Sequence, residues 1–209
     1  MEPQVPSGYL RVHGLIPSTR ANGPGERIGL WLQGCLLRCP GCHNPETHSF
    51  AGGSLRRIPE LAEEIIGIAS GNPGLEGLTV SGGEPLHQAA GLRQLLEILR
   101  KNLPPSFTYG LFTGYSIPEI LYEKVARVNE STPDLYWDPF MLQNLVKSFD
   151  FVVAGRYVER LRVMDGLISS SNQQLYLPTG RYKREDFGDP VLEVLVENKG
   201  QVYVTGFGL

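Results

Sequence analysis

Three cysteines, Cys35, Cys39 and Cys42, fall within eight consecutive residues, Cys-Leu-Leu-Arg-Cys-Pro-Gly-Cys, and the rest of the 209-residue chain has none. Any fold for this sequence must therefore wrap one short loop around whatever those thiols hold. The odd count, and a spacing too tight for a bridge that spans a fold, exclude a disulfide framework. Thiolates are the usual ligands of iron–sulfur clusters, which normally take four of them. Three can hold three irons of a four-iron, four-sulfur cluster and leave the fourth open to a small molecule. A zinc site is the rival reading, with His43 or His48 as fourth ligand, since Cys3His sites exist. Zinc ligands usually come as two separated pairs, however, and this is one compact group.

The chain around the loop alternates short apolar runs with helical periodicities. Tyr9–Ile16 has strand character, and Pro17–Glu26 reads as a loop rich in Ser, Asn, Gly and Pro. Arg27–Gln33 predicts a short buried strand that ends directly at the cysteines. Ile58, Leu61, Ala62, Ile65, Ile66 and Ala69 recur at helical spacing behind Pro59, which suits a first turn. Leu92, Leu95, Leu96 and Leu99 predict an amphipathic helix. Further helices are expected over Pro118–Val128 and over Asp138–Lys147, the latter capped by Asp138. Gly77–Val80, Phe107–Thr113 and Phe149–Val153 read as strands, and Val191–Val196 with Gln201–Phe207 as a hairpin around Asn198-Lys199-Gly200.

Such alternation implies an α/β fold of βαβ units on a parallel sheet, helices on one side, curling toward a partial (β/α) barrel. Active sites in these folds gather at the C-terminal edge of the strands. The cysteine loop, Ser81–Pro85 and Thr113–Tyr115 each follow a predicted strand, so all three converge there. One domain over 1–209 is expected, with the hairpin as an extension from about 176 to 209.

The formal charge of −3 offers no basic surface for nucleic acid. With no run of eighteen apolar residues and no signal-like start, no membrane partner is expected and a cytoplasmic location is. An open cluster would be damaged in an oxidising compartment, which agrees. The run Arg181, Lys183, Arg184, balanced by Glu185, Asp186 and Asp189, reads as a solvated hairpin.

The segment Gln33–His48, containing Cys39-Pro40-Gly41-Cys42-His43-Asn44-Pro45, resembles the cluster loop of glycyl-radical-enzyme activating proteins in the radical S-adenosylmethionine (SAM) superfamily. Among these it is most similar to the activators of anaerobic ribonucleoside-triphosphate reductase. Ser81-Gly82-Gly83-Glu84-Pro85, roughly 40 residues past the cysteines, resembles the motif that meets the SAM amino group, a role this implies for Gly82, Gly83 and Glu84. Leu111–Ser116 resembles the Thr-Gly-Tyr-Thr segment, and implies a place for the Thr113 hydroxyl near the SAM carboxylate or ribose. By the same resemblance Gly41 and Gly155 approach the adenine, and Asn172 bonds SAM or a partner's backbone. Two departures stand out: Ala154 replaces a usual acidic residue, and Ile168-Ser169 a usual Arg-Gly.

The resemblance implies a [4Fe-4S] cluster on Cys35, Cys39 and Cys42, with SAM chelating the open iron. It implies no catalytic side chain beyond that site, a glycyl radical enzyme as protein substrate, and flavodoxin or ferredoxin as electron donor. Two alternatives stay open at this point. One keeps radical SAM chemistry but acts on a small molecule, as 7-carboxy-7-deazaguanine synthase does, or on a peptide. The other, from a different class, is a zinc-stabilised interaction module.

Overall fold

A computed structural model describes residues 5–122, 139–189, 192–196 and 202–206. In chain order the elements are β1 (Tyr9–Thr19), β2 (Glu26–Leu32), β3 (Ser54–Arg57), α1 (Ile58–Gly71), β4 (Leu75–Gly82), α2 (Ala89–Asn102) and β5 (Thr108–Thr113). They continue with α3 (Ile117–Leu121), α4 (Pro139–Lys147), β6 (Phe151–Ala154), β7 (Arg162–Asp165), β8 (Ile168–Ser170), β9 (Gln174–Tyr176), β10 (Leu192–Val196) and β11 (Val202–Gly206). The main sheet has the order β3-β1-β2-β4-β5-β6-β9. Its four central strands, β2, β4, β5 and β6, run parallel, while β1, β3 and β9 add antiparallel edges. The fold is α/β, as expected, but the sheet is mixed rather than wholly parallel.

Alternation along the central strands divides their side chains between two faces. Ile28, Leu30, Leu32, Leu78, Val80, Tyr109, Leu111 and Val152 are buried with the apolar stripes of α1 (Leu61, Ala62, Ile65), α2 (Leu92, Leu95, Leu96, Leu99) and α4 (Leu142, Leu145, Val146). Burial of those leucines, each worth about 1.5–3 kcal/mol, is what fixes the helices to the sheet.

The opposite face is filled at its lower end by Arg27 and Phe151. A Cβ on Gly110 would lie 2.1 Å from the Phe151 ring, and one on Gly77 2.4 Å from the Arg27 guanidinium. Both glycines therefore leave room for a large neighbour's side chain. Arg27 is fully buried. It donates to the hydroxyls of Thr79 and Thr108, to the carbonyls of Pro24, Leu78 and Thr108, and to Tyr182. Phe187 and Tyr182 close over Phe151 at ring separations of 5.3 and 5.9 Å.

Several boundaries differ from the sequence reading. β1 continues to Thr19 through a register shift between Ile16 and Thr19, so the predicted loop begins later. β3 was not expected, because Ser-Leu-Arg-Arg has no buried alternation; it pairs through its backbone with Tyr9–Val12. The basic run forms a short 3-10 turn at Arg184–Asp186, not a hairpin, and Arg184 pairs with Asp165. Of the helix expected at Pro118–Val128, α3 covers the described part; positions from 123 on, and the cap Asp138, lie outside the described residues. The C-terminal hairpin is present as β10 and β11, Val194 opposite Val204, with Asn198-Lys199-Gly200 outside the described residues. It is tied to the β1–β2 loop by Glu193 accepting from the Arg20 amide and by Asn22 donating to Thr205.

Candidate functional site

β2 delivers the chain to the cysteines, and backbone hydrogen bonds define the loop's base. Gly34 N–H donates to Thr47 O at 2.7 Å and Cys35 N–H to His48 O at 3.0 Å, so the outgoing and returning arms run side by side. At φ +105° Gly34 also lies so close to Phe50 that a Cβ would sit 2.4 Å from its ring. Cys42 N–H closes a turn on Cys39 O. Cys35 is buried, and Cys39 and Cys42 are half-buried.

Each thiol is held away from ionisation by burial. Cys35 is pushed up to about 11 by desolvation and then by the Glu84 carboxylate, against amides of Arg38 and Leu37 that favour the thiolate. Burial likewise raises Cys39 and Cys42, opposed chiefly by the Tyr157 and Asn44 amides. Such thiols need a cation to become thiolates, and a bound iron is one. Their amide donors are the kind of hydrogen bond that tunes an iron–sulfur cluster. Three thiols on one short loop, each met by backbone amides, are a donor set that fits an iron–sulfur cluster.

The turn after β4 is pressed against this loop. Ser81 and Gly82 still pair in the sheet, opposite Trp31 and Leu32, so the motif begins inside the strand rather than after it. Gly82 has φ +110°, and a Cβ there would lie 2.3 Å from Leu32 O; one on Gly83 would lie 2.5 Å from Gly34 O. Gly83 N–H donates to Leu32 O and Glu84 N–H to Gly34 O. Glu84 itself is fully buried. Its Oε1 accepts from Leu86 N–H and the Thr113 hydroxyl, both at 2.9 Å, and its Oε2 from Gly114 N–H at 2.7 Å. Burial raises its pKa to about 7 despite these donors.

The structure therefore brings the cysteine loop, Gly82–Glu84 and Thr113 together at one sheet edge. It also shows where their polar groups point. The Thr113 hydroxyl donates to Glu84 and accepts from Tyr115 N–H. Asn172 donates to Arg156 O at 2.8 Å and accepts from the Ser170 hydroxyl. Gly155, at φ +124°, donates to Thr113 O. Gly41, at φ +71°, is exposed, and a Cβ there would lie 3.2 Å from Glu159 and 3.3 Å from Tyr157. His43 rests its ring edgewise on Tyr157, centroids 4.5 Å apart.

Sequence reasoning missed three contributors. His87 is buried, with Nε2 at 3.1 Å from the Tyr115 hydroxyl and Phe50 on its other side. Burial pushes its pKa down to about 4, so it is neutral at pH 7. Arg156 makes a two-point ion pair with Glu119 at 2.8 and 3.0 Å and lies over the Tyr115 ring. Its positive charge bears on both Glu84 and Cys39. Gln33 is fully buried beneath the loop. The signal for His87 was its place two residues past Glu84-Pro85; Gln33 and Arg156 carried no local signal.

A family profile of 4Fe-4S single cluster domains matches residues 21–176. The anaerobic ribonucleoside-triphosphate reductase-activating protein of Vibrio cholerae is 32% identical over 114 residues, 53% of this chain and 72% of that protein. The pyruvate formate-lyase-activating enzyme of Listeria monocytogenes is 43% identical over 83 residues, 37% of this chain and 32% of that enzyme. This chain thus matches about a third of the second relative's length. The crystal structure of QueE from Escherichia coli superposes with a TM-score of 0.42 at 18% identity, covering 52% of this chain and 53% of that one. A likeness of that extent carries no argument. The family profile spans most of the chain, and with it the cysteine loop, the β4 turn and the end of β5. The chain belongs to the 4Fe-4S single cluster domain family, as a radical SAM enzyme whose cofactors are a [4Fe-4S] cluster and SAM.

Proposed function

We propose that this protein generates a glycyl radical on a partner enzyme, of which an anaerobic ribonucleotide reductase is the leading candidate. The observation that carries the reading is the joining of the cysteine loop to the ends of β4 and β5 through Gly34, Gly83 and Glu84. The similarity to two activating proteins supports the choice of substrate class. Held by Cys35, Cys39 and Cys42 and by the Gly82–Glu84 turn, a reduced cluster with SAM would supply one-electron cleavage of the sulfonium and, through it, removal of a hydrogen atom from the substrate glycine.

The chain's own residues bind and order. Cys35, Cys39 and Cys42 hold three irons. Gly82 and Gly83 bring backbone oxygens to the SAM amino group. Glu84 keeps that turn in register with Thr113 and Gly114, so its part in meeting the amino group is shared with holding the strand ends together. Thr113 acts through Glu84. Gly41 and Gly155, both free of side chains, let backbone approach the adenine. Asn172 fixes the Arg156 backbone, and Arg156 sets a positive charge beside Glu84 and Cys39.

The electron comes from a flavodoxin or ferredoxin, and an open cluster favours the cytoplasm. No helix among the described residues is long and apolar enough to cross a membrane. The test is electron paramagnetic resonance on anaerobic mixtures of reduced protein, SAM and candidate glycyl radical enzymes. A glycyl radical on a partner is expected. Cleavage of SAM without transfer to any candidate, but with turnover of an added small molecule, would overturn the partner assignment.

A further inference from the structure

Beneath the cysteine loop lies a set of buried amides that neither holds iron nor faces the SAM motif. The Gln33 side chain is fully buried; its Nε2 donates to Glu46 O at 2.9 Å and Ser49 O at 2.7 Å, and its Oε1 meets His13 Nδ1 at 2.8 Å. Gln33 stands two residues before Cys35 on the outgoing arm, whereas Glu46 and Ser49 lie on the arm returning from Cys42. One side chain therefore ties both arms together. Gln88 secures it from behind: its Nε2 donates to Gln33 O and Arg11 O, both at 3.0 Å, and its Oε1 accepts from Arg11 N–H at 2.7 Å. Packing fits around the same group. A Cβ on Gly52 would lie 2.7 Å from Gln33 Nε2, and Gly53, at φ +62°, would place one 2.9 Å from Gln33 Cβ.

We propose that Gln33 is the positioning residue of the cysteine loop, holding its two arms together through Glu46 and Ser49 so that the three thiols are arranged before iron binds, with Gln88 locking this clasp to the turn behind Glu84. The inference rests on the reading of the loop as a cluster site. None of these hydrogen bonds involves a thiol, so all of them form in iron-free protein. Replacing Gln33 with leucine keeps the volume but takes away the donor to Glu46 O and leaves Ser49 O only the 3.3 Å bond from Gly52 N–H. Groups that hydrogen-bond a metal ligand typically change metal affinity about 10- to 100-fold, and Gln33, which acts on the loop's arms instead, is placed at the lower end of that range.

The experiment compares wild type, Gln33→Leu and Leu96→Ala, the last a core cavity in α2 that controls for general loss of stability. Anaerobically reconstituted proteins are challenged with a chelator, and hydrogen exchange at Gly34 and Cys35 is followed in the iron-free full chain. Gln33→Leu is expected to fold, to retain roughly tenfold less cluster than wild type, and to lose the protection of those two amides. Leu96→Ala is expected to keep both. Equal cluster retention in Gln33→Leu and wild type, or equal loss in Gln33→Leu and Leu96→Ala, overturns the proposal. So does protection of Gly34 and Cys35 that arises only on iron loading. A wild-type chain that takes up no four-iron cluster contradicts the functional reading and the proposal with it, and is recognised from wild-type iron analysis alone.

Discussion

The hydroxyl of Thr113 donates to Oε1 of Glu84 at 2.9 Å, joining the ends of β5 and β4 through a carboxylate that solvent does not reach. Glu84→Gln keeps the shape but offers an amide where Gly114 N–H and Leu86 N–H need acceptors. The expected result is a stability loss of about 1–3 kcal/mol by denaturant titration. A SAM affinity reduced roughly tenfold by equilibrium dialysis should accompany it. Unchanged values would mean that the carboxylate does not order the turn.

Glu84 and His87 give opposite pH dependences to the iron-free protein. Burial holds the folded His87 pKa at about 4, below its ordinary 6.5. Its contribution is full above about 6.5 and is lost as pH falls toward 4. Glu84 is raised from 4.5 to about 7. Its contribution is full below 4.5 and is lost as pH rises through 7. The two oppose each other between those limits. Stability of Glu84→Gln should therefore rise with pH between 4.5 and 6.5 more steeply than wild type, and that of His87→Gln should fall. Parallel profiles for the three proteins would refute this assignment.

Gly83→Ala is expected to push the β4 turn away from Gly34, because its Cβ would lie 2.5 Å from Gly34 O. Iron uptake should drop severalfold at a fixed chelator concentration, in line with other changes one step from a metal ligand. Gly67→Ala, on α1 with nothing within 4 Å of the new atom, should instead stabilise by about 0.4–1 kcal/mol. If Gly83→Ala loads iron like Gly67→Ala, the close contact has no consequence for the loop.

Much of this was legible because it is local. The cysteine spacing, the leucine stripe of α2 and the apolar runs ending at Val80 and Thr113 each announce themselves within a dozen residues, and together they put the motifs at one sheet edge. Arg27 illustrates what was not. As the first residue of a predicted strand it reads as an ordinary flanking charge. Its burial depends on Thr79, Thr108 and Tyr182, from three other parts of the chain. Gln33 is hidden for the same reason, since Glu46, Ser49 and Gln88 meet it only in three dimensions. The antiparallel edges escaped notice because β3 and β9 are too short to show a period. Glu84 and Thr113 were both recognised as site residues, but sequence could not reveal that they bond to each other.

Arg27→Lys retains the charge but replaces a five-donor fork with three donors on a flexible stem. Several of the hydroxyls and carbonyls around it would lose their partner at a position that is fully buried. A loss of roughly 2 kcal/mol is expected in denaturant unfolding, with little change in cluster content because Arg27 lies at the opposite end of β2 from Cys35. Loss of the cluster at unchanged stability would contradict that separation.

The most direct test of the central claim is 5′-deoxyadenosine formation by anaerobically reconstituted, chemically reduced protein supplied with SAM. Wild type should yield 5′-deoxyadenosine and methionine in equal amounts, and Cys35→Ala, Cys39→Ala and Cys42→Ala should each yield none above background. A wild-type protein carrying a full, reducible four-iron cluster that forms no 5′-deoxyadenosine, or cysteine variants that form it as wild type does, would contradict the account.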